Sequence, residues 1–222
     1  MTQKNKYGTL LTMITVDDFG INEQANKLIE KTIKTKIVTH VSVMTNMPGS
    51  IQAFEIIKRS RGVEYGLHLN LTQPFGGLVH LENKIREQIK LLRKIAPITF
   101  INSHHHVHFI PWIANIVIKL AKQYRIQYIR RPQKIWFPPA GKSRIIKSLA
   151  IQIAGTLVNL RGLKSSDYFI DLDWINETYR LEILRKLPKN VEISCHPLIF
   201  HKGFTQPTLQ WLIENKNKLN FR

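Results

Sequence analysis

Strand-like apolar segments alternate with amphipathic, helix-like segments along most of the chain. This alternation is typical of βαβ units, in which a crossover helix joins two parallel strands. Seven or eight such units in succession predict an α/β fold with a parallel sheet, closed or nearly closed as a barrel. The predicted strands cover 9–16, 37–44, 63–71, 98–103, 126–131, 168–172, 191–195 and 218–221. The predicted helices cover 22–35, 48–59, 83–95, 111–124, 143–160, 176–187 and 206–215.

The length of the chain fits one domain. With 222 residues, of which 43% are hydrophobic, it is long enough to bury a sizeable core. Neither a linker nor a low-complexity tract interrupts the alternation, so we expect a single domain over residues 1–222. The segment 132–142 contains three Pro and one Gly and is predicted to be a long loop, suited to a wall or lid of a substrate cleft.

The charge of the chain is strongly positive, with 33 Lys and Arg against 15 Asp and Glu and a net charge of +18. Such a surplus attracts phosphate backbones, anionic membrane surfaces and acidic glycans. The basic residues are spread along the whole chain, which favours a solvated surface over a dedicated binding site. The sequence contains no basic nucleic-acid motif with interleaved aromatic residues. A barrel that binds nucleic acid or an anionic surface is therefore an alternative function that only the positive charge supports.

The sequence gives no sign of export or of a membrane span. A single cysteine, Cys195, cannot form an intramolecular disulfide. The longest apolar stretches are shorter than the ~20 residues that cross a bilayer. The basic start, Met1 to Lys6, is followed by a segment interrupted by Thr and without a small-residue cleavage site. We therefore expect a cytoplasmic location.

Unusual polar residues gather at or just past the carboxyl ends of the predicted strands. In barrel and open α/β folds these ends form one face, where active sites lie. Imidazoles and carboxylates from distant strand ends can bind one divalent cation. By side-chain alternation, neighbouring Asp residues are expected to diverge, one to the cation and the other to a bound water, which is the division of labour in metal-assisted hydrolysis. The residues are Asp17, Asp18, His68, His104 to His108, Arg130 and His196.

Taken singly, these residues have simpler interpretations. Asp17 to Gly20 fits a turn and a helix N-terminus, and a lone strand histidine such as His68 is more often a packed residue. Cys195-His196-Pro197 fits either a packed strand end or a catalytic histidine, and Cys195 has no sign of activation as a nucleophile. The four histidines within residues 104–108 differ, because so dense a run favours metal binding or catalysis.

Together, five motifs resemble the YdjC-like carbohydrate deacetylases, a family that includes chitooligosaccharide deacetylases. The resemblance implies a distorted, TIM-barrel-like (β/α) barrel related to polysaccharide deacetylases. It also implies a hydrolase for linear amide C–N bonds, with N-acetylated sugars as substrates, and it is compatible with a homodimer. The motifs are Asp17-Asp18-Phe19-Gly20, Gly66 to Thr72, Asn102 to His108, Ile129 to Pro132 and Glu192 to Pro197, and Ser166 to Phe169 resembles a weaker block.

The resemblance also implies a role for each site residue. Asp18, His68 and His104 would hold the divalent cation. Asp17 would be the general base toward the attacking water, and His196 would protonate the departing amine. Arg130 would orient a sugar hydroxyl or hold Asp17 in place, and His106 and His108 would contact substrate or support the site from outside. Ligand type favours Zn²⁺, whereas the family resemblance implies Mg²⁺, so the metal stays open at this point.

The chain departs from the family pattern at several positions. Asn102 stands where the family usually has Asp, Phe100 replaces a polar residue, and Leu198 replaces Gly. The segment between Thr72 and Asn83 is shorter than in relatives. These changes border the expected cleft and bear on substrate size and activity. A metal-dependent hydrolase acting on another substrate, such as a phosphate ester, is therefore the alternative within the same chemistry.

Overall fold

A computed structural model describes residues 12–72, 77–131, 134–135, 149, 152–153, 155–156, 160–198 and 206–219. Its strands form a single eight-stranded sheet. The strands of this sheet are β1 Met13–Phe19, β2 His40–Val43, β3 Glu64–Leu69, β4 Phe100–Ser103, β5 Tyr128–Ile129, β6 Lys134–Ile135, β7 Tyr168–Asp171 and β8 Val191–Cys195.

The strand order is β5-β4-β3-β2-β1-β8-β7-β6, and all neighbouring pairs are parallel. This is the cyclic order of a (β/α)-barrel, with the consecutive strands β5 and β6 at the two ends. An isolated parallel bridge joins Tyr128 of β5 to Lys164. The predicted α/β fold of barrel type is therefore confirmed, as a curled parallel sheet.

Six α-helices have both ends among the described residues, and each of them overlaps a predicted helix. Asn22 caps α1, because its side chain accepts a hydrogen bond from the backbone N–H of Ala25. Pro111 stands in the first turn of α4, where its missing N–H costs nothing. The helices are α1 Glu23–Thr35, α2 Ser50–Arg59, α3 Leu78–Arg93, α4 Pro111–Gln123, α5 Glu177–Arg185 and α6 Thr208–Glu214.

Some elements differ from the prediction. The two-residue strand β6 lies inside 132–142, which the sequence predicts as a loop; the other residues of this segment, and most of the predicted helix 143–160, lie outside the described residues. The predicted last strand, 218–221, is wrong where it can be seen, because Lys216–Lys218 forms a 3-10 helix. Strand β1 continues to Phe19 instead of ending at residue 16, because Phe19 is apolar and fully buried.

The core lies on both faces of the sheet. All seven residues of β1 are buried, as expected for a parallel strand covered on both sides. On α1, Ile29 and Ile33 are four residues apart and bury the same face. In β3, Gly66 leaves room for the ring of Phe100, since a Cβ there would lie 2.5 Å from the ring atoms. No helix in the described part of the chain has the length and hydropathy that a membrane span requires.

Candidate active site

Six of the predicted site residues come from five strand ends and form one connected set. Because the strands are parallel, their carboxyl ends share one edge of the sheet. The structure brings together side chains that are up to 179 positions apart in the sequence. They are Asp17 and Asp18 at the end of β1, His68 in β3, and His104, Arg130 and His196 directly after β4, β5 and β8.

The end of β1 is distorted at the two aspartates. Asp18 has a left-handed backbone with φ of 64°, and the pairing of β1 with β2 shifts register between Val16 and Phe19. A left-handed backbone costs an L-residue roughly 1–2 kcal/mol. Gly20 has φ of 102°, and a Cβ there would lie 2.4 Å from the Met44 carbonyl oxygen. This part of the Asp-Asp-Phe-Gly motif therefore requires glycine.

Because of this distortion, both carboxylates approach the same imidazole. Asp18 Oδ1 lies 3.1 Å from His68 Nε2, and Asp17 Oδ1 lies 3.8 Å from His68 Nδ1. The expected divergence by strand alternation is therefore wrong in this detail, since the left-handed residue interrupts the alternation. The two carboxylates flank the ring of His68 instead.

Asp18, His68 and His104 form a compact cluster. Asp18 Oδ1 lies 3.1 Å from His104 Nδ1 as well, and the three ligand atoms all lie within 4.8 Å of one another. Burial opposes ionisation of Asp18, but the adjacent imidazoles of His104 and His68 hold the pKa of its carboxyl well below the ordinary value. Its second oxygen, Oδ2, is buried and makes no hydrogen bond to any residue that the structure describes.

Asp17 lies beside this cluster, and its two oxygens differ. Oδ1 accepts hydrogen bonds from Ser42 Oγ at 3.0 Å, from Asn102 Nδ2 at 2.8 Å and from an Arg130 guanidinium nitrogen at 3.1 Å. Oδ2 accepts one from the other guanidinium nitrogen at 2.6 Å. Burial alone would raise the pKa of this carboxyl, but the nearby guanidinium and imidazoles outweigh burial and hold the pKa well below its ordinary value.

Arg130 is fully buried beneath Asp17. Its Nε donates to Glu192 at 2.7 Å, and Glu192 in turn accepts from Thr15 at 3.1 Å and from the Tyr128 hydroxyl at 2.8 Å. Burial would lower the pKa of the guanidinium, but the two carboxylates raise it above its ordinary value. These contacts match the second predicted role of Arg130, to hold Asp17; its contact with a sugar hydroxyl stays a prediction.

His196 lies on the other side of Asp17, among carboxylates. Its Nδ1 is 2.6 Å from Asp173 Oδ2 and 3.9 Å from Asp171 Oδ1, and its Nε2 is 3.7 Å from Asp17 Oδ2. Burial would lower the pKa of this imidazole, but the charges of Asp173 and Asp171 raise it well above the ordinary value. Burial itself raises the pKa of Asp171 to about 7.

Sequence reasoning missed Asp171 and Asp173. Asp171 ends β7, and its side chain accepts a hydrogen bond from the backbone N–H of Asp173 at 3.0 Å. The sequence does contain a signal for them. Asp171 is the last residue of the strand Tyr168–Asp171 and Asp173 lies two residues later, much as Asp17 and Asp18 lie at the end of β1. The structure adds both residues to the candidate site.

The remaining histidines of the run lie in a 3-10 helix, His104–Phe109, in which His105 and His106 have positive φ. His108 is buried, with its Nδ1 against the Ser103 hydroxyl and its Nε2 2.9 Å from the Arg130 carbonyl oxygen. Burial lowers its pKa to about 3, so it is neutral. Its ring therefore connects β4 to the residue after β5 through these two contacts.

The ring centroid of His106 lies 5.6 Å from that of Phe169. Substrate contact by His106 and His108 stays a prediction.

Comparisons with known proteins agree with one another. The sequence model of the family described as YdjC-like protein matches residues 12–210. A carbohydrate deacetylase of Brevibacillus brevis is 32% identical over 140 residues, which are 51% of this chain and 56% of that protein. A carbohydrate deacetylase of Clostridium beijerinckii is 29% identical over 250 residues, covering 94% of this chain and 93% of the relative.

A solved structure resembles the fold. It is an Enterococcus faecalis V583 protein provisionally described as a cellobiose-phosphate cleavage protein. It superposes with a TM-score of 0.64 at 19% identity, covering 95% of this chain and 85% of that chain. At this identity the likeness concerns the fold alone.

Proposed function

Because the chain belongs to the YdjC-like family, we propose that it is a hydrolase that removes acetyl groups from N-acetylated amino sugars or oligosaccharides. Relatives named carbohydrate deacetylases support this reaction class. The observation that carries the proposal is the placement of Asp17 between the Asp18 cluster and His196, with its Oδ1 3.8 Å from His68 Nδ1 and its Oδ2 3.7 Å from His196 Nε2. This arrangement offers a site for a cation, a base and an acid for the hydrolysis of one amide bond.

The donor set of Asp18, His68 and His104 fits a divalent cation. Ligands of a tetrahedral Zn²⁺ site lie roughly 3.3 Å apart, given bonds of about 2.0 Å. The two imidazole nitrogens each lie 3.1 Å from Asp18 Oδ1. Asp18 Oδ2, which is buried and has no hydrogen-bond partner among the described residues, would be available as a further oxygen ligand. Two imidazoles favour Zn²⁺ over Mg²⁺, which prefers oxygen ligands and is the metal that the family resemblance implies.

When bound, the cation would act as a Lewis acid on the acetamide carbonyl and make water easier to deprotonate. Asp17 is the group that accepts the proton of the attacking water, through Oδ2, because Oδ1 already accepts three hydrogen bonds. The Arg130 ion pair keeps Asp17 ionised and fixed in orientation.

His196 is the group that protonates the departing amine as the C–N bond breaks. Asp173 holds its Nδ1 and leaves its Nε2 pointed toward Asp17 and the site. The raised pKa of His196 keeps the imidazole protonated at neutral pH, which is the form that a general acid requires. One water proton ends on Asp17 and the His196 proton on the amine, while the second water proton leaves on acetic acid, which ionises to acetate in solution. The second product is a free amino sugar, and the proton on Asp17 returns to His196 through solvent to restore both groups.

The experiment is acetate release from N-acetylglucosamine and chitooligosaccharides by metal-stripped protein reloaded separately with Zn²⁺ and Mg²⁺. We expect metal-dependent release that Asp17→Asn abolishes. The matched control is Asp167→Asn, since Asp167 is exposed at the opposite, amino end of β7. Release that is unchanged by Asp17→Asn would contradict the proposal.

A net charge of +18 attracts anions, so phosphate esters are assayed in parallel. Hydrolysis of these esters without acetate release would favour the alternative function, a metal-dependent phosphate-ester hydrolase that uses the same site. A nucleic-acid scaffold would instead show binding that falls steeply with salt and is unaffected by Asp18→Asn. The cytoplasmic location and the homodimer stay predictions.

A further inference from the structure

Asn102 joins the two halves of the site. It lies fully buried in β4, and its register partner in the neighbouring strand β3 is His68. Its Oδ1 is 2.7 Å from His68 Nδ1, and its Nδ2 is 2.8 Å from Asp17 Oδ1. One amide therefore contacts both a candidate cation ligand and the candidate base.

The neighbours of Asn102 decide which way its amide faces. Asp17 pairs with two guanidinium nitrogens of Arg130, so its oxygens accept hydrogen bonds and donate none. The reverse orientation of the amide would place its carbonyl oxygen 2.8 Å from a carboxylate oxygen. The NH₂ group must therefore face Asp17, and the carbonyl must face His68.

This orientation fixes the tautomer of His68. Since the carbonyl of Asn102 can only accept, His68 Nδ1 must carry the hydrogen. In the neutral ring, Nε2 then keeps its lone pair, and Nε2 is the atom 3.1 Å from Asp18 Oδ1. A lone pair directed at a carboxylate oxygen is favourable when a cation lies between them.

We propose that Asn102 is a positioning residue that holds His68 in the Nδ1–H, cation-ready form and at the same time binds Asp17. This inference rests on the proposed function for the identity of the cation site. Asp at position 102 would accept from His68 equally well but would place a second carboxylate against Asp17. Asn makes both contacts without adding negative charge.

The test compares Asn102→Leu, Asn102→Asp and the control Asn115→Ala, since Asn115 is exposed on α4. The readouts are ¹⁵N–¹H NMR of the histidine rings, with His68 assigned from His68→Gln, and calorimetric titration of Zn²⁺ into metal-stripped protein. Circular dichroism verifies that each variant is folded. If Asn102→Leu does not fold, the tautomer of His68 in the wild type and in Asn102→Asp still tests the inference.

We expect the Nδ1–H form of His68 in the wild type and in Asn102→Asp, and its loss in Asn102→Leu. The Zn²⁺ affinity of Asn102→Leu should fall about 10- to 100-fold, the usual effect of removing a partner of a ligating imidazole, with Asn102→Asp restoring most of it. An Nε2–H form of His68 in the wild type, or unchanged tautomer and affinity in Asn102→Leu, would overturn the inference. Neither readout uses substrate, so absent acetate release would contradict the proposed function without bearing on Asn102.

Discussion

Two clusters of the same residue types flank Asp17, and they differ in the ratio of carboxylate to imidazole. On one side, two imidazoles surround the single carboxylate of Asp18. On the other, the carboxylates of Asp171 and Asp173 surround the single imidazole of His196. Both sets have ligand atoms within 4.8 Å of one another. Spacing alone does not distinguish them, whereas charge does.

The first cluster has two imidazoles for one carboxylate and suits a cation, while the second surrounds one imidazole with two carboxylates and suits a proton. The distance of 2.6 Å between His196 Nδ1 and Asp173 Oδ2 supports this distinction. It is a hydrogen-bond length and is shorter than the roughly 3.3 Å between two ligands of a tetrahedral cation. The ratio of the two groups therefore predicts the separate functions of the two clusters.

The largest expected effect is on metal binding. Asp18→Asn removes the anionic ligand that both imidazoles share, so Zn²⁺ affinity should fall at least ~100-fold. Calorimetric titration of metal-stripped protein measures this fall. Asp173→Asn is the matched change in the second cluster and should leave affinity unchanged. Equal losses in the two variants would break the distinction.

The next effect separates chemistry from binding. His196→Gln removes the proton donor, and acetate release should fall about 10²- to 10⁴-fold, the usual contribution of a general acid. Zn²⁺ affinity measured on the same preparation should stay at the wild-type value. A parallel loss of metal would place His196 among the ligands.

A smaller effect concerns the pH dependence. The negative charge of Asp173 raises the pKa of His196, so Asp173→Asn should lower that pKa. The protonated acid is then lost at lower pH, so the alkaline limb of kcat should move toward lower pH. NMR titration of the His196 ring gives the pKa directly. An alkaline limb that does not move would show that His196 is not the acid.

The smallest effect is on stability. Asp171 has a folded pKa of about 7 against an ordinary value of 3.8, so its stabilising contribution is complete below pH 4 and is lost as pH rises through 7. Asp171→Asn removes the ionisable carboxyl, so the variant does not lose this stabilising contribution as the pH rises. Its melting temperature, compared with the wild type by circular dichroism, should be higher at pH 8 by roughly 2–4 °C per kcal/mol gained. At pH 4 the advantage should disappear, and an equal shift at both pH values would contradict this assignment.

Sequence reasoning predicted the features that depend on local pattern. The strands are recognised from short apolar runs, and polar residues such as His68 and His104 stand out at their ends. Parallel strands place these ends on one edge, so the sequence alone predicts Asp18, Arg130 and His196 at one site.

The remaining features depend on contacts between distant parts of the chain. The left-handed backbone of Asp18 and the burial of Glu192 beneath Arg130 follow from sheet pairing, which local periodicity does not encode. Asn102 looked like the loss of a carboxylate in the sequence, whereas the structure gives its amide two partners. Strand β6 has two residues, too few for a periodic signal.

The central claim is that one divalent cation binds Asp18, His68 and His104, with His196 excluded. X-ray absorption spectroscopy of protein loaded with one equivalent of Zn²⁺ tests it most directly. We predict a first shell with two imidazole nitrogens at about 2.0 Å and carboxylate oxygen at about 2.0–2.2 Å, unchanged in His196→Gln and altered in His104→Gln. A spectrum that loses imidazole scattering in His196→Gln and keeps it in His104→Gln would contradict the account.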